Sequence, residues 1–222
     1  MSGTPTILEH RVLLPGERSA KKHPALIMLH GRGADEEDLI GLAEHFDRRL
    51  LILSVRAPFP FPYGGGFTWY DVGSVGTPDP QMFRESYEKL SQFVDEALDS
   101  YPVDRSRVYL LGFSMGTVMS YALSLTRPEL FRGVIANSGY VPEGTQLVLR
   151  WRDLGNLPYF IAHGTEDPVI PVDFARRARR LFGESNATVT YREYPMGHQI
   201  SQESLRDSSA FLGELIGPPD PG

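Results

Sequence analysis

The chain has 222 residues, a net charge of −6 and 41% hydrophobic residues, so it can bury a sizeable core and lacks the basic face that sequence-independent nucleic-acid binding needs. It contains no cysteine, which excludes disulfides, thiolate catalysis and cysteine metal sites and suits a reducing compartment. The first 23 residues lack the apolar core of a signal peptide, and no run approaches the ~18 apolar residues that span a bilayer; the expectation is a soluble, cytoplasmic protein without membrane insertion.

Residues 6–14 hold Ile7, Leu8, Val12, Leu13 and Leu14 and predict an edge strand, ended by Pro15-Gly16. Pro24 opens Ala25-Leu26-Ile27-Met28-Leu29-His30, a buried-strand pattern that runs into Gly31-Arg32-Gly33. Acids at Asp35, Glu36, Glu37 and Asp38, followed by Leu39, Leu42, Ala43 and Phe46 at helical spacing, predict a helix. Leu50 to Val55 predicts a short strand.

Residues 56–78 differ in kind. Pro58, Pro60, Pro62, Gly64 to Gly66 and Pro78 break regular structure, while Phe59, Phe61, Tyr63, Phe67, Trp69 and Tyr70 load the stretch with aromatics. Two readings stand: a loop that packs its rings onto the core, or one that lines an apolar acyl or alcohol pocket, with Phe67, Trp69 and Tyr70 as the substrate-binding candidates.

Asp79-Pro80 starts a helix in which Phe83, Tyr87, Leu90, Val94, Ala97, Leu98 and Tyr101 share one face. Residues 107–111 predict a buried strand, and Thr117 to Leu125, stopped by Pro128, a buried helix. Between them lies Gly112-Phe113-Ser114-Met115-Gly116. A serine in that pattern, at a strand-to-helix turn, sits on strained backbone with its hydroxyl pushed out of the sheet; the flanking glycines let strand and helix approach closely.

Gly133 to Gly139 predicts a strand ending in small residues, and the stretch from there to the strand Pro158 to Ala162 is too short for a separate cap domain. Phe174 to Phe182 predicts a helix whose Arg176, Arg177, Arg179 and Arg180 read as a solvated face rather than a phosphate patch. Residues 188–194 alternate as a strand, Leu205 to Ile216 predicts the last amphipathic helix, and 217–222 a frayed tail. The alternation predicts one domain over residues 1–222, a mainly parallel sheet with helices on both faces and its site at the carboxyl ends of the strands.

A serine hydroxyl is a poor nucleophile at neutral pH and needs a base. Of six histidines, His10, His23 and His45 have no evident role, and His30 and His163, each before a glycine at a strand end, suit loop-holding hydrogen bonds. His198, presented by Gly197 after the last strand, is the candidate base. The acid that orients it is expected after the next-to-last strand, where Asp167 stands beside its rival Glu166. The oxyanion of a tetrahedral intermediate needs backbone donors: Met115, after the nucleophile, and Arg32 in preference to Gly31. No metal-site spacing, G-x-G-x-x-G or P-loop is present, and the chemistry is expected to need no cofactor.

Leu29-His30-Gly31-Arg32-Gly33, Thr68-Trp69-Tyr70-Asp71, the Gly112–Gly116 pentapeptide, His163-Gly164-Thr165-Glu166-Asp167-Pro168-Val169-Ile170-Pro171 and Gly197-His198, in that order, resemble the small carboxylesterase/phospholipase group of α/β-hydrolases that includes acyl-protein thioesterases. The resemblance implies an α/β-hydrolase fold with about seven strands and no cap domain. It implies Ser114, Asp167 and His198 as a catalytic triad, Arg32 and Met115 as backbone donors, a pocket bordered by the Trp69 region, and a possible homodimer. The thioesterases commonly carry an apolar residue, then Gly-Asp, after His-Gly, and often glutamine after the nucleophile; here Arg32 and Met115 stand, and both keep their N–H groups. The function expected is a serine carboxylesterase that hydrolyses short- to medium-chain esters of small molecules through an acyl-enzyme on Ser114. The alternatives are an acyl-protein thioesterase or lysophospholipase, and a non-catalytic ligand-binding protein on the same scaffold.

Overall fold

A computed structural model describes residues 6–16 and 22–218; the expected tail lies outside the described residues beyond 218. In chain order the strands are β1 (His10–Leu13), β2 (His23–Leu29), β3 (Leu51–Val55), β4 (Phe59–Pro60), β5 (Phe67–Thr68), β6 (Val72–Ser74), β7 (Thr77–Pro78), β8 (Val103–Phe113), β9 (Gly133–Asn137), β10 (Pro158–Gly164) and β11 (Thr188–Tyr194). The α-helices are α1 (Pro80–Ser100), α2 (Met115–Thr126), α3 (Asp173–Gly183) and α4 (Gln202–Ile216).

Seven strands form the central sheet in the order β1-β3-β2-β8-β9-β10-β11. Only the edge strand β1 runs antiparallel, pairing with β3; every other pair is parallel. The apolar runs read in the sequence are buried on both sides, and their period of two sorts them onto two cores. Ile27, Leu53, Leu110, Val134 and Ile161 face one core, which α1, α2 and α3 cover with Phe93, Val118 and Phe182. Leu26, Met28, Tyr109, Ile135 and Phe160 face the other, closed by Leu205, Leu212 and Ile216 of α4.

Local chemistry fixes the helix starts. The Asp79 side chain accepts from the N–H groups of Gln81 (3.1 Å) and Met82 (2.8 Å), with Pro80 at the first helical position of α1. Ser201 caps α4 by accepting from Ser204 N–H at 3.2 Å. On α3, Arg176 pairs with Glu193 and Asp173, Arg177 with Glu143, and Arg179 stacks on Tyr191. The arginine row is a surface face laced with its own partners.

The α-helix expected over 35–46 is instead a turn followed by a 3₁₀ helix, Leu39–His45. Leu39 and Phe46 are buried and Leu42 and Ala43 pack half-buried on the same core, so the apolar stripe is present. The helical run, however, is only 7 residues, too short to repay the nucleation of an α-helix. Its approach is pinned as well: Ala34 bridges to Phe67 of β5. Residues 56–78 are not one irregular loop. They form two small antiparallel pairs, β4–β5 and β6–β7, and β5 is tied to the turn after β2 by Gly33 N–H to Phe67 O and Phe67 N–H to Ala34 O, both 2.8 Å.

Candidate active site

The central strands deliver the site at their carboxyl ends. Ser114 lies between β8 and α2 with φ +56° and ψ −118°, backbone that a non-glycine residue rarely adopts. Its surroundings hold it there. Ser114 N–H donates to Asn137 O at the end of β9 (2.9 Å), and Thr117 Oγ1 donates to the same carbonyl (2.7 Å). The two glycines of the turn make the approach possible: a Cβ on Gly112 would meet the Gly116 carbonyl and Thr117 backbone, and one on Gly116 would run into the Leu29 carbonyl of β2.

Asp167 follows β10. Its Oδ1 accepts from Val169 N–H (2.8 Å) and Ile170 N–H (2.9 Å), a turn that only a short side chain closes. Its Oδ2 faces His198 Nδ1 at 2.7 Å, and His198 Nε2 lies 2.9 Å from Ser114 Oγ. A carboxylate only accepts, so Nδ1 carries the imidazole proton and Nε2 is left to accept the serine O–H. Glu166 is exposed and takes no part in this run.

The loops bearing Asp167 and His198 are built as a unit. Thr165 N–H donates to Tyr194 O (2.8 Å) and Glu166 N–H to Met196 O (3.1 Å). A Cβ on Gly164 would collide with the Met196 carbonyl, so this glycine lets the two loops touch. The Phe113 ring, at the end of β8, lies 5.0 Å from the His198 ring.

The turn after β2 approaches Ser114 from the other side. His30 donates from Nδ1 to Gly31 O (2.7 Å) and accepts the Ala57 N–H at Nε2 (3.0 Å). Burial pushes the His30 pKa below its usual value and keeps this ring a neutral strut. Trp69 Nε1 donates to His30 O at 2.9 Å, and Ser86 of α1 donates to Trp69 O. Among the described residues, the Arg32 and Met115 N–H groups have no acceptor within the protein, and both residues line the cavity that Ser114 opens into.

That cavity has a volume of about 410 Å³. Val72, Val75, Phe113, Met115, Tyr140, Val169 and Ile170 supply its apolar wall, and Ser114, His198, Arg32 and Asp38 line it with polar and charged groups. Burial, and then the neighbouring Asp35, push the Asp38 carboxyl above the usual range. Phe67, Trp69 and Tyr70, expected to meet substrate, are not among the lining residues. Trp69 and Tyr70 are fully buried, Trp69 as the strut behind His30 and Tyr70 with its hydroxyl 3.2 Å from that of Tyr140; the Phe67 ring lies under the Arg56 guanidinium at 4.6 Å. The stretch does border the cavity, but through Val72 and Val75. Reasoning from aromatic content missed these small side chains, although their place just after the aromatic run was visible.

The fold and this serine turn are those of an α/β-hydrolase. Residues 16–216 match the Phospholipase/Carboxylesterase family, and the chain belongs to that family. Acyl-protein thioesterase 1 of Debaryomyces hansenii is 27% identical over 168 residues, covering 71% of this chain and 72% of that protein. The putative hydrolase MhqD of Bacillus subtilis is 27% identical over 192 residues, covering 86% and 93%. The structure of the Bacillus cereus carboxylesterase aligns with a TM-score of 0.82 at 25% identity over 94% of each chain. The carboxylesterase from Mesorhizobium loti aligns with a TM-score of 0.83 over 98% and 99% at 22% identity, a likeness of fold. The protein is therefore a serine hydrolase of this family. Among the described residues no helix is long and apolar enough to cross a membrane.

Proposed function

We propose that the protein is a carboxylesterase that cleaves short- to medium-chain esters of small molecules through an acyl-enzyme on Ser114. One observation carries this reading: the continuous hydrogen-bonded run from Asp167 through His198 to Ser114 at the edge of an apolar cavity. His198 Nε2 takes the hydroxyl proton as Ser114 Oγ attacks the ester carbonyl. The charge that develops on the carbonyl oxygen is met by the Arg32 and Met115 N–H groups and by the positive end of α2. His198 returns the proton to the leaving alkoxide, the acyl group stays on Ser114, and a water deprotonated by the same ring then releases the acid.

The size and polarity of the cavity support the substrate class. At about 410 Å³ it stands near the small end of ligand pockets, roughly 300–1,000 Å³, and its valines and Ile170 suit an alkyl chain. The sheet and helices between residues 10 and 216 together supply every part of this site, which supports reading the chain as one catalytic domain.

Thioester cleavage by the same residues is the second reading, favoured by the relatives named acyl-protein thioesterase 1. Initial rates on p-nitrophenyl esters from acetate to palmitate, beside matched thioesters and with Ser114→Ala as the blank, decide between them. The expected outcome is ester turnover that peaks below about ten carbons, in keeping with a pocket at the small end of the range, and disappears in the variant. Turnover confined to thioesters would favour the second reading, and none above the blank on either series would contradict both.

A further inference from the structure

A second imidazole stands beside the acid of the proposed triad. His163 ends β10, its side chain is buried, and its Nε2 lies 2.8 Å from Ile170 O and 3.3 Å from Asp167 Oδ2. A carbonyl oxygen only accepts, so Nε2 carries the ring proton and donates it to the Ile170 carbonyl, with the Asp167 carboxylate alongside. Nδ1 is buried without a hydrogen-bond partner among the described residues, so Nε2–H alone fixes the ring by hydrogen bonding. Asp167 Oδ2 therefore sits between two imidazoles, His198 at 2.7 Å and His163 at 3.3 Å, while Oδ1 is taken by two backbone N–H groups.

We propose that His163 is a positioning residue: its Nε2–H holds the Ile170 carbonyl, and the Ile170 N–H in turn holds Asp167 Oδ1, so that acid and cavity wall are set by one group. The proposal rests on the triad reading above. Ile170 is the link to the pocket, since it lines the cavity, gives its N–H to Asp167 Oδ1 and offers its carbonyl to His163. The charged and titratable groups that face His163 are Asp167 on its own loop, His198 on the base loop, and Glu193, its register partner on β11, which Arg176 holds. Burial pushes the His163 pKa down, in keeping with a neutral donor. A neutral donor holds the Ile170 carbonyl without adding a second cation beside the imidazolium that forms on His198 during turnover.

The test compares two amides that differ in reach. In His163→Gln the side-chain nitrogen extends to the place of Nε2, whereas in His163→Asn it stops near that of Nδ1. With p-nitrophenyl butyrate, the expected result is that Gln keeps kcat within about threefold of wild type, while Asn lowers it by about 10- to 100-fold, the scale of an ångström-sized misplacement, with KM nearly unchanged. In an Asp167→Asn background the His163→Asn change should cost less than about twofold more, because the group it positions is already gone. Equal kcat for the Asn and Gln variants, or the same loss in both backgrounds, would overturn the proposal and leave His163 a packing residue. An Asp167→Asn enzyme of full activity would overturn the triad reading and this proposal together; an inactive Asp167→Asn beside a fully active His163→Asn would overturn this proposal alone.

Discussion

Asp167 and Glu166 differ by one methylene and one position, and that decides which of them faces His198. The shorter side chain folds back onto the N–H groups two and three residues on, at Val169 and Ile170, and leaves Oδ2 for the imidazole. Glu166 points its carboxylate to solvent. Replacing Asp167 by Asn places an amide N–H₂ where His198 needs an acceptor, favouring the wrong tautomer, and is expected to lower kcat by about 10⁴. Glu166→Gln should leave kcat and KM unchanged, and steady-state kinetics of the two variants check the assignment. The sequence left these neighbours as rivals, because nothing in residue type or spacing shows which carboxylate closes a turn. Residue-level reasoning reached Ser114 and His198 readily, each being marked by glycine and by its place after a strand. It did not reach Val72 and Val75, which the small β6–β7 pair brings to the cavity wall, or Tyr140, which the segment after β9 brings there beside Tyr70.

At the scale of elements, the site depends on how closely β2, β8 and α2 pack. Gly116 lies against the Leu29 carbonyl, a backbone atom that cannot swing aside. Gly116→Ala is therefore expected to destabilise by more than the ~1 kcal/mol typical of point substitutions, and to cost activity in whatever folds, since the same shift moves Ser114. A urea titration read by circular dichroism, with esterase rates on the folded fraction, checks both. The parallel strands were legible in the sequence because burial on both faces turns them into uninterrupted apolar runs. The segment over 35–46 misled for a related reason. Its acids and apolar spacing suggest an α-helix, and Leu39, Leu42, Ala43 and Phe46 do meet the core, yet the run is too short to favour an α-helix and the Ala34–Phe67 bridge constrains the entry. The short pairs in 56–78 depend on hydrogen bonds to the turn after β2, partners far away in sequence, and no local pattern announces them.

Across the whole molecule, acid should loosen the fold in two stages. Burial pushes the pKa values of His10, His30 and His163 below 6.5, so the unfolded chain takes up protons that the folded one refuses, and stability falls as pH drops through about 6.5. Glu193 acts lower: its hydrogen bonds to Arg176 hold it down to about 2 from an ordinary 4.5, so its contribution is complete above 4.5 and is lost as pH falls toward 2. Urea midpoints measured from pH 8 to pH 3 should decline in both windows, and Glu193→Gln should weaken the lower decline while lowering the midpoint at pH 7. A midpoint that does not change with pH would contradict this. The central claim, that the whole assembly serves to make Ser114 a nucleophile, is met most directly by labelling with a fluorophosphonate and mapping the adduct by peptide mass spectrometry. The account predicts one adduct, on the peptide that carries Ser114, absent from Ser114→Ala and strongly slowed in His198→Ala. Labelling of another residue, or none while esters are still hydrolysed, would contradict it.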